Sequence, residues 1–236
     1  MNREIKLTER LQAVADSVDT SFCTADIGTD HGLLPNYLIE NKKASYVIAT
    51  DISRPSLQKN IEYTLLRGNE KFIESRLGDG LEPLKIGEVD TCIIAGMGGV
   101  LIKDILNSSM EKVRSIDKFV LQPMTASKEL REYLYDYGFT IEKEKLVREG
   151  NRFYEIMTVI HGVTLLDDEI FLEFGKNIIK ERPMVFFDYL KMRIRSNEKL
   201  LYELENKAGD KVEDRIAKLK IETLKFKELY NGNKYK

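Results

Sequence analysis

The chain has 236 residues, enough for one α/β domain and a smaller appendage. Its formal net charge is −2, so no global basic field announces nucleic acid, although a local basic face would suffice for phosphate contacts. No apolar run reaches membrane length and no signal-peptide pattern opens the chain, which predicts a cytoplasmic protein with no membrane contact.

In chain order, residues 8–17 predict a helix, with Thr8 as its N-cap and Leu11, Val14, Ala15 and Val18 as its apolar stripe. A first strand over 22–26 ends in Asp26, and a glycine-bearing turn leads into a second helix. A second strand over 46–50 ends at Asp51, and a helix follows over 56–66. A third, short strand leads to Leu77-Gly78-Asp79-Gly80. A fourth, over 89–95, runs into Gly96-Met97-Gly98-Gly99, with a helix from about Val100. The fifth, over 119–122, stops at Pro123, and a helix over 127–137 is closed by Gly138. Residues 139–148 and 151–160 flank Glu149-Gly150, a hairpin signal. Alternating strands and helices predict a parallel sheet with right-handed crossovers, and the hairpin adds an antiparallel edge.

After Asp167 charge and helical period take over, which puts the domain boundary between 163 and 164. One helix is expected over 168–180, and Pro183 starts another. From Phe187 the apolar positions step by three and four to Ala208, and again from Val212 to Tyr230. Folded back as an antiparallel coiled-coil hairpin, Ala208 meets Val212, Leu204 meets Ile216, Leu190 meets Tyr230, and the polar pair Asn197 and Thr223 shares one layer.

The chemistry concentrates at strand ends. In Asp26-Ile27-Gly28-Thr29-Asp30-His31-Gly32, glycines let backbone approach a ligand and the following helix offers free N–H groups. A dinucleotide fingerprint wants glycine where this chain has Asp30. A carboxylate there repels a diphosphate and suits a cationic donor such as S-adenosylmethionine, whose own carboxylate could sit at the helix N-terminus. Asp51 suits ribose hydroxyls or a helix cap, and Asp79 suits an exocyclic amine or a plain turn. The glycines from Gly96 to Gly99 leave an open floor, and Gln122-Pro123-Met124 could form the far wall. Cys23 and Cys92 lie in apolar runs and predict buried free thiols, and no metal-ligand spacing involves His31 or His161.

The runs ADIGTDHGLLP, GDGLEPL, IAGMGG and LQP, in this order and followed by a helical hairpin, resemble the TrmK family of bacterial tRNA adenine-N1 methyltransferases, which act at position 22. The resemblance covers essentially the whole chain. It implies a Rossmann-like class I methyltransferase domain, with a mostly parallel seven-stranded sheet, over 1–163, and a helical coiled-coil domain over 164–236 that helps hold tRNA. It implies S-adenosylmethionine as donor and tRNA as acceptor, and no obligatory protein partner is expected. By position, Asp26, Gly28, His31, Gly32, Asp51, Asp79, Gly80, Gly96, Met97 and Gly98 would line the cofactor site, and Asp30 would be the catalytic carboxylate. Met124 stands where the family pattern often has Asn, so no polar role is expected there.

Phosphate contacts are expected from basic residues such as Arg10, Arg148 and Arg152, and foremost from Lys191-Met192-Arg193-Ile194-Arg195. Tyr37, Phe153 and Tyr154 are candidates for stacking on an extracted base, or plain core residues. Two other readings stay open: the same donor with DNA or a small molecule as acceptor, and a non-catalytic nucleotide sensor whose coiled coil binds a protein.

Overall fold

Seven strands form one sheet in the order β3-β2-β1-β4-β5-β7-β6. The structure is a computed structural model that describes residues 4–206 and 210–232, with no side-chain description at 210–212. The elements run α1 (Glu9–Ala15), β1 (Ser21–Ile27), α2 (Leu33–Glu40), β2 (Ala44–Asp51), α3 (Arg54–Arg67), β3 (Ile73–Leu77) and β4 (Thr91–Met97). They continue with α4 (Gly99–Ser108), the short α5 (Met110–Val113), β5 (Lys118–Pro123), α6 (Ser127–Asp136), β6 (Phe139–Glu149) and β7 (Arg152–His161). The last four are α7 (Ile170–Phe174), α8 (Lys176–Glu181), α9 (Met184–Glu205) and α10 (Asp210–Asn231).

The first five strands pair in parallel, and β7 joins β5 and β6 antiparallel. The order runs outward from β1 in both directions, so the sheet reverses between β1 and β4. That is where α/β sheets open a crevice at their strand ends. Neighbouring residues on a strand feed opposite faces. Ile93 packs with Val14, Leu34 and Leu38 on one side, whereas Ile94 packs with Ile102, Phe119 and Leu130 on the other. Burial on both faces explains the nearly unbroken apolar runs of these strands. Cys23 and Cys92 are free and buried in this core, where burial pushes the Cys23 thiol up to about 11.

Thr8 caps α1, its hydroxyl accepting the Leu11 amide at 3.4 Å. The helix expected over 168–180 is broken in two at Gly175, whose φ is +76°. A side chain at that position would collide with the Glu144 carboxylate, which holds the buried Arg131 at 2.9 Å. Arg131 also takes Glu155 and donates to the Leu172 carbonyl at 3.0 Å, so this charge cluster ties α6, β6, β7 and α7 together.

The chain divides into two compact units, Met1–Gly175 and Lys176–Lys236. The division falls later than the 163/164 boundary expected from composition, because α7 groups with the sheet. In the second unit α9 and α10 lie antiparallel: Glu198 pairs with Lys227 at 2.7 Å and Glu205 with Lys220 at 2.8 Å. Lys191 lies over Tyr230 and Arg193 over Phe226, each one position from an expected seam pair. Ala208 and the Val212 side chain lie outside the described residues. Asn197 and Thr223 are both buried, yet no hydrogen bond joins them. The Thr223 hydroxyl donates to the Leu219 carbonyl of its own helix at 2.7 Å, and Asn197 Nδ2 has no partner among the described residues. No described helix is long and apolar enough to cross a membrane.

Candidate functional site at the sheet reversal

β1 and β4 part at their carboxyl ends, and a cavity of about 370 Å³ opens between them. Asp26, Gly28, Thr29, Asp30, His31 and Gly32 line one side of it, with Leu33 and Leu34 from α2. Ala95 and Gly96 come from β4, and Arg10 and Leu11 come from α1. Of the residues expected from sequence, Asp26, Gly28, Asp30, His31, Gly32 and Gly96 meet at this cavity. Asp51, Asp79, Gly80, Met97 and Gly98 lie outside its lining, at or just after the ends of β2, β3 and β4.

The turn after β1 is built by its backbone. The amides of Gly28 and Thr29 both donate to the Thr50 carbonyl, at 2.8 and 2.9 Å, which anchors the turn to β2. Gly32 has a φ of +70°, and a side chain there would collide with Asn60 of α3. Only glycine lets α2 start this close to α3. Two buried oxygens near this turn have no hydrogen-bond partner among the described residues, Thr50 Oγ1 and Asn60 Oδ1.

The two acids of the turn stand in different surroundings. Asp26 is 5% exposed, and burial, reinforced by the Asp51 carboxylate, pushes its pKa up to about 6. Asp30 is exposed at the rim, with Oδ2 at 3.0 Å from His31 Nε2 and Oδ1 at 3.9 Å from Lys59 Nζ. Asp51 Oδ1 accepts the Ser53 amide at 2.7 Å, and its carbonyl accepts the Gly78 amide at 3.1 Å. That second bond brings the Gly78-Asp79-Gly80 turn beside the end of β2. Met97 packs against Gly28, and its carbonyl accepts the Met124 amide at 2.8 Å.

The sequence offers Arg10 as a phosphate contact and Gln122 as part of a wall. The two are one unit. Gln122 is fully buried, and its Oε1 accepts Arg10 Nη1 at 2.8 Å and the Gly96 amide at 3.1 Å. The Arg10 amide donates to Glu149 at 2.9 Å, and its guanidinium lies 5.8 Å from the Tyr154 ring centre. The one visible signal was a glutamine at the end of an otherwise apolar strand. Of the stacking candidates, Tyr154 is buried beneath Arg10, Tyr37 takes a hydrogen bond from Gln12 at 2.9 Å, and Phe153 carries Arg148 over its ring. Among the described residues no cluster of His, Cys, Asp and Glu could hold a metal ion.

Residues 7–157 match the methyltransferase domain family. The chain is 38% identical over 162 residues to the tRNA (adenine(22)-N(1))-methyltransferase of Bacillus subtilis, an alignment that covers 67% of each protein. It superposes on the crystal structure of the B. subtilis m1A22 tRNA methyltransferase TrmK with a TM-score of 0.87 and 29% identity, covering 96% of this chain and all of the other. A Streptococcus pneumoniae protein solved in complex with S-adenosyl-L-methionine matches with a TM-score of 0.86 and 29% identity, over 95% of this chain and 100% of that one. Sequence, fold and the acid-bearing turn agree: the chain belongs to the TrmK family of methyltransferases.

Proposed function

We propose that this protein transfers the methyl group of S-adenosylmethionine to N1 of adenine 22 in tRNA. The observation that carries the reading is the turn after β1, where a buried and an exposed carboxylate replace a phosphate cradle, in a chain of the TrmK family. A tRNA substrate makes the cytoplasm its place of work.

The residues present fit the donor. The side-chain-free surface at Gly96, and the Asp26 and Asp30 carboxylates that line the same cavity, suit a ligand that is cationic and hydroxylated. Asp26, Gly28, His31, Gly32, Gly96, Met97 and Gly98 would hold its amino-acid and sulfonium portion. Asp51 would accept the ribose hydroxyls, and Asp79 and Gly80 would border the adenine. When bound, the donor supplies a methyl group on a positively charged sulfur. Adenine N1 already carries a lone pair once its Watson–Crick partner is gone, so the protein needs no strong base. Its work is to hold the extracted base in line and to offset the positive charge that forms on the purine. Asp30, exposed at the rim, would do the second.

The test is incubation of the purified chain with methyl-labelled donor and bulk tRNA, DNA or no nucleic acid. Label is expected in tRNA alone, and nucleoside analysis is expected to find 1-methyladenosine. Label in DNA, or in a small-molecule fraction, would replace this reading with a different acceptor.

A further inference from the structure

Asp30 has two neighbours, and they hold it unequally. Its Oδ2 lies 3.0 Å from His31 Nε2, within hydrogen-bond distance, whereas its Oδ1 lies 3.9 Å from Lys59 Nζ, beyond it. His31 lines the cavity together with Asp30. Lys59 does not. It belongs to the second turn of α3 and stands beside the rim, outside the lining. The backbone that carries it is fixed. Asn60, the next residue, is buried against Gly32, and its Nδ2 donates to Ser75 Oγ at 2.8 Å. The Lys59 side chain is by contrast 53% exposed, and Asp30 is its one ion-pair partner among the described residues. A pair this long and this open contributes little in water and is given up at little cost. An ammonium on a flexible four-carbon stem can move from one oxygen anion to another without moving its helix.

We infer that Lys59 holds a backbone phosphate of the extracted nucleotide, and that its pairing with Asp30 is the resting arrangement it leaves when tRNA docks. The inference rests on the proposed tRNA acceptor and deepens it, by placing a phosphate contact on α3 beside the proposed catalytic carboxylate. A base that enters next to Asp30 leaves its sugar and phosphate outside, and the cation outside at that point is Lys59. The trade has a direction. The phosphate takes the ammonium, and Asp30 Oδ1 loses its only cationic neighbour as the base arrives. The carboxylate is then open to the positive charge that forms on the purine. A base without its phosphate cannot drive this exchange, so Lys59 is a positioning residue that favours a nucleotide within a chain over a free nucleobase.

The experiment measures tRNA binding against salt concentration, with S-adenosylhomocysteine present, and methyl-transfer kinetics beside it. The variants are Lys59→Gln, Lys59→Arg and, as a control for net charge, Lys71→Gln. Lys71 is exposed in the turn before β3, at the opposite end of the sheet from the cavity. For Lys59→Gln, tRNA affinity is expected to fall about two- to fivefold, the range for one exposed charge pair, and the salt slope to fall by about one. KM for tRNA should rise in step, with kcat little changed. Lys59→Arg should keep both slope and affinity, and Lys71→Gln should alter neither. Affinity for S-adenosylhomocysteine, measured by calorimetry, should be the same in all four proteins, and melting temperatures report that each is folded. An unchanged salt slope in Lys59→Gln overturns the inference. So does a fall in kcat at constant KM, which would make Lys59 a permanent partner of Asp30. A matching loss of S-adenosylhomocysteine affinity would put Lys59 in the donor site, and an equal slope change in Lys71→Gln would make the effect one of net charge, either of which sinks it. A wild-type protein that binds S-adenosylhomocysteine but not tRNA removes the proposed acceptor itself, and this inference with it, a failure visible before any variant is made.

Discussion

Asp26 and Asp30 share one turn and differ in solvent. Asp30 lies open at the rim, where an incoming base can reach it. Replacing it with Asn removes the charge and keeps the shape. The expected outcome is a fall in turnover of about 10²–10⁴-fold with S-adenosylhomocysteine affinity held, the range for a positioned catalytic group. Normal turnover at saturating donor would make Asp30 a binding residue only. Asp26 gives a pH signature. Its folded pKa, near 6, lies above the ordinary 3.8, so the native state holds this proton more tightly than the unfolded chain does. The stability this contributes is complete below pH 3.8 and is lost as pH rises through 6. The gap is worth about 3 kcal/mol. Asp26→Asn is therefore expected to be more stable than wild type at pH 7, by up to that amount, and equal to it near pH 4. Urea melts at the two values check this. A cationic ligand that pairs with Asp26 would draw the carboxylate ionised, so its affinity should drop as pH falls below 6.

At the level of elements, the order of strands, turns and helices was readable from residue pattern. The β1–turn–α2 unit, the strand ends at Asp51 and Gly96, and the hairpin at Gly150 all carry local signals: glycine, capping hydroxyls, alternation. The break at Gly175 was not readable. Helical period continues through it, and the reason for the stop is Glu144, distant in sequence and pinned there by Arg131. The α9–α10 hairpin had a legible seam, since every apolar position named is buried or half-buried where its side chain is described. Its polar layer was less legible. Thr223 satisfies itself on its own helix and leaves Asn197 Nδ2 buried without a partner among the described residues. An unmet buried amide costs about 1–3 kcal/mol, so Asn197→Leu is expected to raise stability by an amount of that order in denaturant melts. A loss of stability instead would mean that the amide is paired in solution.

Taken whole, the molecule is near neutral, so tRNA must be met by local charge. On α9, Arg193 is occupied by Phe226, Tyr189 and Glu222, and Lys191 lies over Tyr230. Arg195 is exposed. Reversing Lys191 and Arg195 together to Glu is expected to weaken tRNA binding and to lower its salt slope by about one or two, with S-adenosylhomocysteine affinity unchanged. An unaltered slope would take this stretch out of the interface.

The sequence by itself determined the α/β class, the hairpin edge, the helical C-terminal part and the acid-for-glycine exchange in the turn after β1. Each of these is written within a few residues of itself, in period, glycine placement and charge. Tertiary structure alone decided which strand ends share a cavity and how Arg10 enters it. The Arg10–Gln122 bond spans 112 residues and the Gly96–Gln122 bond 26. Contacts of that kind exist only once β4 and β5 lie side by side, because strand pairing and not local pattern brings their ends together.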